Sequence, residues 1–198
     1  MTLGSMGIAR GLSLIIVAGL PVYLASSIPG INLFLNIFSG KLFNLIPTSI
    51  IFTIIVYIVG GIVLSRTVFG TYVYATGGNP KTARLSGINI KNIRLTAFVI
   101  TGFLSGLAGI LGMASIQNGS GLSGTGYELD VIAAVIIGGT SLAGGGGSIL
   151  GTLLGVLLMN FIRNGLVLLG IEPYTQMVIV GFIIIIAVTI DKLIRRNR

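Results

Sequence analysis

The feature that most constrains this chain is a series of long apolar runs separated by short polar segments. Residues 45–64, LIPTSIIFTIIVYIVGGIVL, contain no charged side chain. A helix of about 20 residues, rising about 1.5 Å per residue, spans the roughly 30 Å hydrocarbon core of a bilayer. Only 8% of the chain is charged and 54% is apolar, whereas a soluble domain carries about 25% charged residues. The sequence therefore predicts an all-α, polytopic transmembrane helical bundle.

About six apolar segments of this kind can be drawn, and we expect them to form a single transmembrane domain over residues 1–198. The fourth segment, 129–143, is barely long enough to cross a bilayer and contains Gly138 and Gly139. It crosses, or it is broken or partly re-entrant, and irregular backbone at membrane depth is tolerated only beside protein or a water-filled cavity. Both glycines are therefore candidate pore-lining residues. The predicted segments are 2–24, 45–64, 95–116, 129–143, 148–169 and 174–190.

The positive charge of the chain is concentrated in two polar segments. A formal net charge of +8 would suggest nucleic acid as the partner of a soluble protein. In a membrane protein, Lys and Arg between the spans instead mark the cytoplasmic side. We therefore expect a cytoplasmic loop at 66–94, a cytoplasmic C-terminus, an outer loop at 25–44, and no nucleic-acid partner. The basic residues are Arg66, Lys81, Arg84, Lys91 and Arg94 in the loop, and Lys192, Arg195, Arg196 and Arg198 at the end.

The stretch GGNPKTARLSGIN, residues 77–89, has the signals of a short helix with both ends capped. Asn79 is a favoured N-cap residue and Pro80 a favoured first helical residue. Gly87 is placed to take the positive φ that commonly ends a helix. The sequence therefore predicts a helix over Pro80–Ser86, although a helix of this length is not stable in water by itself.

This short helix needs a surface to lie on, and its spacing leaves two interpretations open. Ala83 and Leu85, with Ile88, could face a groove on a partner protein while Lys81 and Arg84 stay solvated or pair with acidic groups. Alternatively, the segment is a basic loop that rests on anionic lipid headgroups.

Polar side chains near two predicted spans are candidates for the outer mouth or the pore. Glu128 and Asp130 either stabilise the positive end of a helix dipole or form a polar rim at the outer mouth. Asn160, Arg163 and Asn164 form one polar stripe because they are spaced i, i+3 and i+4. The Arg163 side chain either extends to the membrane–water interface or faces the interior of the bundle, and the sequence does not favour one alternative over the other.

Glycine spacing predicts close helix packing at two places. Gly102 and Gly106 form one pair, and Gly147, Gly151 and Gly155 form a double G-x-x-x-G row on the fifth span. Small residues on one face let helix backbones approach closely. We expect plain packing here, with an interface that moves as the alternative.

The sequence offers little for an enzyme. Nothing matches the phosphate-binding pattern G-x-x-x-x-G-K-[ST], because GGGGSILG at 144–151 has no Lys. The chain contains no Cys and no His, which excludes disulfides, thiol chemistry and the usual zinc sites. We therefore expect no catalytic residues, no metal, no cofactor and no ATP hydrolysis by this chain itself.

Four stretches together resemble the membrane-spanning permease subunits of bacterial ribose-type sugar ABC importers. They are TLGSMGIARGL (2–12), YATGGNPKTARLSGIN (74–89), GTGYELDVIAAVIIGGTSLAGGGGSILGTLLG (124–155) and NGLVLLGI (164–171). The resemblance implies a subunit of the bacterial cytoplasmic (inner) membrane that forms the path for a small sugar, ribose first. It also implies three partners besides the lipid bilayer: a separate ABC ATPase subunit, an extracytoplasmic sugar-binding protein, and a second permease copy.

In that family, the segment that matches residues 77–89 docks into a cleft on the ATPase and couples ATP-driven closure to the spans. The resemblance therefore favours docking over lipid contact. Members of the family begin with several more spans before the TLGSM stretch, so we expect an N-terminally truncated gene, a mispredicted start or a split chain. The alternatives are an ATP-independent channel or secondary carrier, or a non-functional permease fragment. Carried over by position, the ATPase contact comprises Gly78, Asn79, Pro80, Ala83, Arg84, Leu85, Ser86 and Gly87.

Overall fold

The computed structural model describes residues 2–24, 30–42 and 46–196, and its regular structure is almost entirely helical. The prediction of an all-α membrane protein is confirmed. The helices are α1 (Thr2–Ile16), α2 (Ile31–Phe38), α3 (Thr48–Arg66), α4 (Val68–Gly78), α5 (Pro80–Leu85), α6 (Ile90–Ile116), α7 (Tyr127–Ile137), α8 (Ile149–Leu168) and α9 (Pro173–Arg196). Four two-residue strands complete it: β1 (Val22–Tyr23), β2 (Lys41–Leu42), β3 (Ile46–Pro47) and β4 (Asn118–Gly119).

Within the described residues, 3 helices are long and apolar enough to cross a membrane, namely α3, α6 and α8. Shorter apolar helical stretches cover Gly4–Ile16 and Pro173–Thr189. The apolar side chains of α3 and α6 are largely exposed, as expected for helices whose faces contact lipid rather than water. The fourth predicted segment contains α7, which has only 11 residues and rises about 17 Å. Irregular backbone follows it up to Ser148.

The two intervals predicted as loops from their charges, 66–94 and 25–44, contain helices. Most of 66–94 is occupied by α4 and α5, and α6 begins at Ile90 rather than near 95. Thr67 separates α3 from α4, because its side chain caps α4 by accepting a hydrogen bond from the Gly70 N–H at 3.3 Å. In 25–44, α2 occupies Ile31–Phe38. Residues 25–29 and 43–44 of that interval, Leu45 at the start of the second predicted span, and Arg198 lie outside the described residues.

The chain divides into two compact units. The first comprises Met1–Val56 and Ala97–Thr125. In it, β1 pairs with β4 and β2 with β3, both antiparallel, with Val22 opposite Gly119 and Lys41 opposite Pro47. The ring centroids of Phe38 and Phe52 lie 5.7 Å apart. The prediction of a single domain stays a prediction.

The second unit, Tyr57–Thr96 and Gly126–Arg198, contains the three-helix packing of α7, α8 and α9. Its core is formed by Ala133 and Ala134 of α7, Met159 of α8 and Val180 of α9. Small side chains on α7 let α8 approach closely, and α7 therefore lies between two neighbours that hold its short length in place.

Two members of the predicted row, Gly151 and Gly155, lie on α8 and pack as the sequence predicted, whereas Gly147 precedes the helix. A Cβ on Gly155 would overlap the Ala134 carbonyl oxygen, and one on Gly151 would overlap the Gly138 carbonyl oxygen. By contrast, a Cβ on Gly102 or Gly106 of α6 would meet nothing within 4 Å among the described residues. Of the two predicted glycine rows, the one on α8 therefore packs closely among the described residues and the one on α6 does not.

Candidate functional site

The N-terminus of α5 is capped as its sequence predicts. The Asn79 side-chain carbonyl accepts hydrogen bonds from the backbone N–H groups of Lys81, at 3.1 Å, and Thr82, at 3.2 Å. Pro80 occupies the first turn, where its missing N–H costs nothing. Two of the otherwise unpaired N–H groups of the helix start are satisfied by one side chain.

The C-terminus of α5 ends in a Schellman motif. Gly87 has φ 82°, and its N–H donates to the Arg84 carbonyl at 3.0 Å. The Ile88 N–H donates to the Ala83 carbonyl, also at 3.0 Å. Ser86 is the C-cap residue, so the helix is one residue shorter than predicted. The helix thus has defined ends despite its length of 6 residues.

The side chains predicted to contact a partner point in different directions. Ala83 is only 3% exposed, and α5 packs against α4. Leu85 is 89% exposed, because residues two apart do not share a face of a helix. Ala83 therefore attaches α5 to its own chain rather than belonging to the free surface. The exposed members of the predicted set are Gly78, Asn79, Pro80, Arg84, Leu85, Ser86 and Gly87.

A cavity of about 230 Å³ lies between α7 and α8 in the second unit. It brings together three of the predicted pore candidates, Asp130, Asn160 and Arg163. Sequence reasoning missed its other residues, since nothing in an apolar helix marks which residues line a cavity. The full lining is Tyr127, Asp130, Val131 and Ala134 of α7 with Val156, Met159, Asn160 and Arg163 of α8.

An ion pair joins the two walls of this cavity. The Arg163 Nη2 lies 2.6 Å from the Asp130 Oδ2, and the two side chains are 39% and 20% exposed. The Nε of Arg163 is buried and makes no hydrogen bond within the described residues. Asn160 donates from its Nδ2 to the Val156 carbonyl at 2.9 Å, which leaves its side-chain oxygen free to accept. The two alternatives for Arg163, the interface and the interior of the bundle, both stay predictions.

The remaining pore candidates lie outside the cavity. Glu128 and Asp130 both occupy the first turn of α7, where carboxylates stabilise the helix dipole, but Glu128 is exposed and does not line the cavity. Asn164 is also exposed. Gly138 is packed against the Gly151 backbone, and Gly139 has φ 83° with nothing near its Cβ position among the described residues.

A second close contact, which sequence reasoning did not find, lies beside α5. The last residues of α4, Gly77 and Gly78, touch Gly144 and Gly145 in the loop between α7 and α8, backbone to backbone. The Tyr74 hydroxyl donates to the carbonyl of Gly147 at 2.8 Å. All of these residues except Gly78 belong to the wall of a cavity of about 300 Å³. The two glycine pairs were visible in the sequence, but their meeting requires the tertiary fold.

Known transport permeases match this chain along nearly its whole length. The profile of the family described as "Branched-chain amino acid transport system / permease component" matches residues 1–188. The chain is 46% identical over 147 residues to Ribose import permease protein RbsC of Escherichia coli (strain K12), which covers 74% of this chain and 46% of that protein.

Two further relatives match over a longer part of the chain. RbsC of Haemophilus influenzae is 40% identical over 191 residues, covering 96% of this chain and 58% of the relative. The D-allose transport system permease protein AlsC of Escherichia coli is 38% identical over 197 residues, covering 99% and 58%. The chain thus spans about half the length of the curated relatives it matches. No solved structure matches it significantly.

Proposed function

Because this chain belongs to the family of transport-system permease components, and within it to the ribose-type ABC permeases, we propose that it serves as the membrane-spanning subunit of an ATP-driven sugar importer. It is a multi-pass protein of the cytoplasmic membrane. In this proposal the chain forms part of the translocation path, while a separate ABC ATPase subunit hydrolyses ATP. An extracytoplasmic sugar-binding protein delivers the substrate, and a second permease copy completes the assembly.

The observation that supports ATPase docking most directly is the geometry of α5. The helix is capped at both ends and buries Ala83 within its own chain, yet it leaves Leu85 and Arg84 exposed. A large apolar side chain at 89% exposure, next to a cation, is the pattern of an anchor for a hydrophobic pocket with an acidic rim. Lipid headgroup contact would explain the cations but not the defined caps.

The cavity between α7 and α8 supports a polar, uncharged substrate. Its ion pair neutralises its own charges, so the cavity presents hydrogen-bonding groups without a net charge. The Asp130 carboxylate, the Asn160 oxygen and the terminal N–H groups of the Arg163 guanidinium can accept from or donate to sugar hydroxyls, and Tyr127 adds an aromatic face. Of the three relatives described above, two are named ribose permeases and one a D-allose permease, and ribose is our proposed substrate.

The direct test is reconstitution of the chain in liposomes with the ATPase and the sugar-binding protein. ATP-dependent accumulation of labelled ribose is expected. Accumulation without the ATPase would instead support an ATP-independent channel or carrier, and failure of the chain to complement a sugar-permease deletion would support a non-functional fragment.

Orientation can be tested with a single thiol, since the natural chain contains no Cys. In a Leu85→Cys variant, a membrane-impermeant maleimide should label inside-out vesicles and leave intact cells unlabelled, because the positive segments face the cytoplasm. Adding the ATPase subunit should then protect the thiol. A Leu169→Cys variant is the matched control. Leu169 is exposed and lies at the opposite end of α8 from Ser148, so this position should face outside. Labelling of Leu85→Cys in intact cells would refute the cytoplasmic placement of α5.

The ion pair predicts non-additive effects of substitution. Arg163→Ala leaves the Asp130 carboxylate unpaired, and Asp130→Ala leaves the guanidinium unpaired, so each single variant should lower ribose uptake. The double variant should lose less ribose uptake than the two single losses combined, and the difference corresponds to a coupling free energy of about 1 kcal/mol. We expect this coupling to be small because Arg163 is partly solvated. Uptake rates of the four chains measure this coupling. Glu128→Gln, an acidic neighbour outside the cavity, is the control, and strictly additive losses would contradict the pairing.

A further inference from the structure

The contact between Gly77 and Gly78 of α4 and Gly144 and Gly145 of the α7–α8 loop is here named the glycine junction. A Cβ on Gly77 would lie 2.8 Å from the Gly145 nitrogen, and one on Gly145 would lie 2.7 Å from the Gly78 Cα. A Cβ on Gly144 would overlap the Gly77 carbonyl oxygen. Both partners are main chain, so no rotation of a side chain can relieve such an overlap.

The junction adjoins α5 on one side. Gly78 is the last residue of α4 and directly precedes Asn79, which is at once the C-cap of α4 and the N-cap of α5. Because the Asn79 N–H also donates to the Ala75 carbonyl, no flexible linker separates the two helices. Any displacement of α5 therefore moves the backbone of Gly77 and Gly78.

On its other side, the junction adjoins α7 and α8. The loop runs from Gly138, the C-cap of α7, to Ser148, the N-cap of α8, whose hydroxyl accepts from the Gly151 N–H at 3.0 Å. The loop is internally braced, since the Ser141 N–H donates to the Gly146 carbonyl at 2.9 Å. The bond from Tyr74 to the Gly147 carbonyl adds a second connection from α4.

We propose that the glycine junction transmits the displacement of α5 to α7 and α8, and hence to the polar cavity between them. Gly77 and Tyr74 are positioning residues in this inference, which rests on the proposed function. A contact made of main chain on both sides transmits a small shift with little loss, because the touching backbone atoms leave no gap between them to absorb it. A longer side chain at the same place would bend before the loop moved.

The test compares two glycine-to-alanine substitutions in the importer reconstituted with its ATPase and binding protein. Gly77→Ala places its Cβ 2.8 Å from the Gly145 nitrogen, whereas the Cβ of Gly61→Ala, on α3, meets nothing within 4 Å among the described residues. Alanine is the better helix former at both positions. Three quantities are measured: ATPase retained on purification, basal ATP hydrolysis, and ribose transported per ATP hydrolysed.

Gly77→Ala is expected to lower ribose transported per ATP about tenfold, with ATPase binding and basal hydrolysis unchanged, while Gly61→Ala stays within about twofold of the natural chain. Equal coupling in Gly77→Ala and the natural chain would overturn the inference. Loss of ATPase binding in parallel with transport would also overturn it, because the glycine would then only support the structure.

Tyr74→Phe provides a second, milder measurement should Gly77→Ala fail to accumulate in the membrane. It removes one hydrogen bond to the loop and adds no atom, so transport per ATP should fall about threefold at unchanged ATPase binding. An unchanged ratio would overturn the inference. Gly146→Ala, where a Cβ meets nothing within 4 Å among the described residues, is the loop control. If the natural chain itself transports no sugar, the proposed function is wrong. If the natural chain transports sugar but the variants leave the ratio unchanged, only the role of the glycine junction is wrong.

Discussion

Leu85→Asp is expected to abolish ATP-driven uptake by removing the ATPase from the permease. Leu85 is 89% exposed, and burying a leucine in a partner contributes about 2 kcal/mol. The replacement also brings a carboxylate into an apolar pocket with an acidic rim, so the affinity should fall on the order of 100-fold. Arg84→Glu, which reverses the neighbouring charge, should cost about 1–3 kcal/mol if its contact is desolvated. The measurements are co-purification of the ATPase and ribose uptake.

Two controls separate docking from lipid contact. Leu85→Met keeps an apolar side chain of similar size and should retain the ATPase. Lys91→Glu makes the same charge change as Arg84→Glu, but on the exposed first turn of α6. If α5 only rested on anionic lipid, both charge reversals would act alike and Leu85→Asp would leave the complex intact. An undiminished complex and full uptake in Leu85→Asp would remove docking from the proposal.

Gly155→Leu is expected to cause the largest loss of stability. A Cβ at this position overlaps the Ala134 carbonyl oxygen, and the residue is buried between α7 and α8. Overpacking of a tight interface typically costs about 1–3 kcal/mol, and occasionally more. Since the obstacle is main chain, α7 must move away from α8. A clearly lowered melting temperature of the purified chain in detergent is the expected result.

Gly165→Leu is the matched control for this change. It lies on the same helix, and a Cβ there meets nothing within 4 Å among the described residues. Both substitutions replace glycine with a better helix former, so helix propensity cancels between them. Similar melting temperatures for the two variants would show that the close approach of α7 and α8 contributes little to stability.

What the sequence could predict was local or periodic. The caps of α5 depend on residues within a few positions of Asn79 and Gly87, and both formed as expected. The packing row of α8 follows from its fixed spacing. By contrast, α4 falls in an interval whose flanking charges indicate a polar loop, although VFGTYVYATGG is itself mostly apolar. The predicted docking set includes Ala83 because the set was carried over by position from the resemblance, without regard to which face of the helix each residue occupies.

The contacts that the sequence could not predict join residues far apart in the chain. Asp130 and Arg163 were each candidates, but two charges on separate helices pair only if the helices pack in one register. Tyr74 and Gly147 are 73 positions apart. No local signal distinguishes a glycine that touches another backbone from one that faces open space, as the contrast between Gly77 and Gly102 illustrates.

The glycine junction also limits how this protein can evolve. In most packed contacts, a residue that becomes larger can be accommodated when its neighbour becomes smaller, and paired substitutions drift together over time. Here every participant is already the smallest residue, and Gly144 and Gly145 also have φ values of 89° and 76° that other residues adopt at a cost. A change at Gly77 therefore has no reciprocal change to offset it. Genetic suppressors of such a change must arise elsewhere in the fold, by moving a whole segment of main chain.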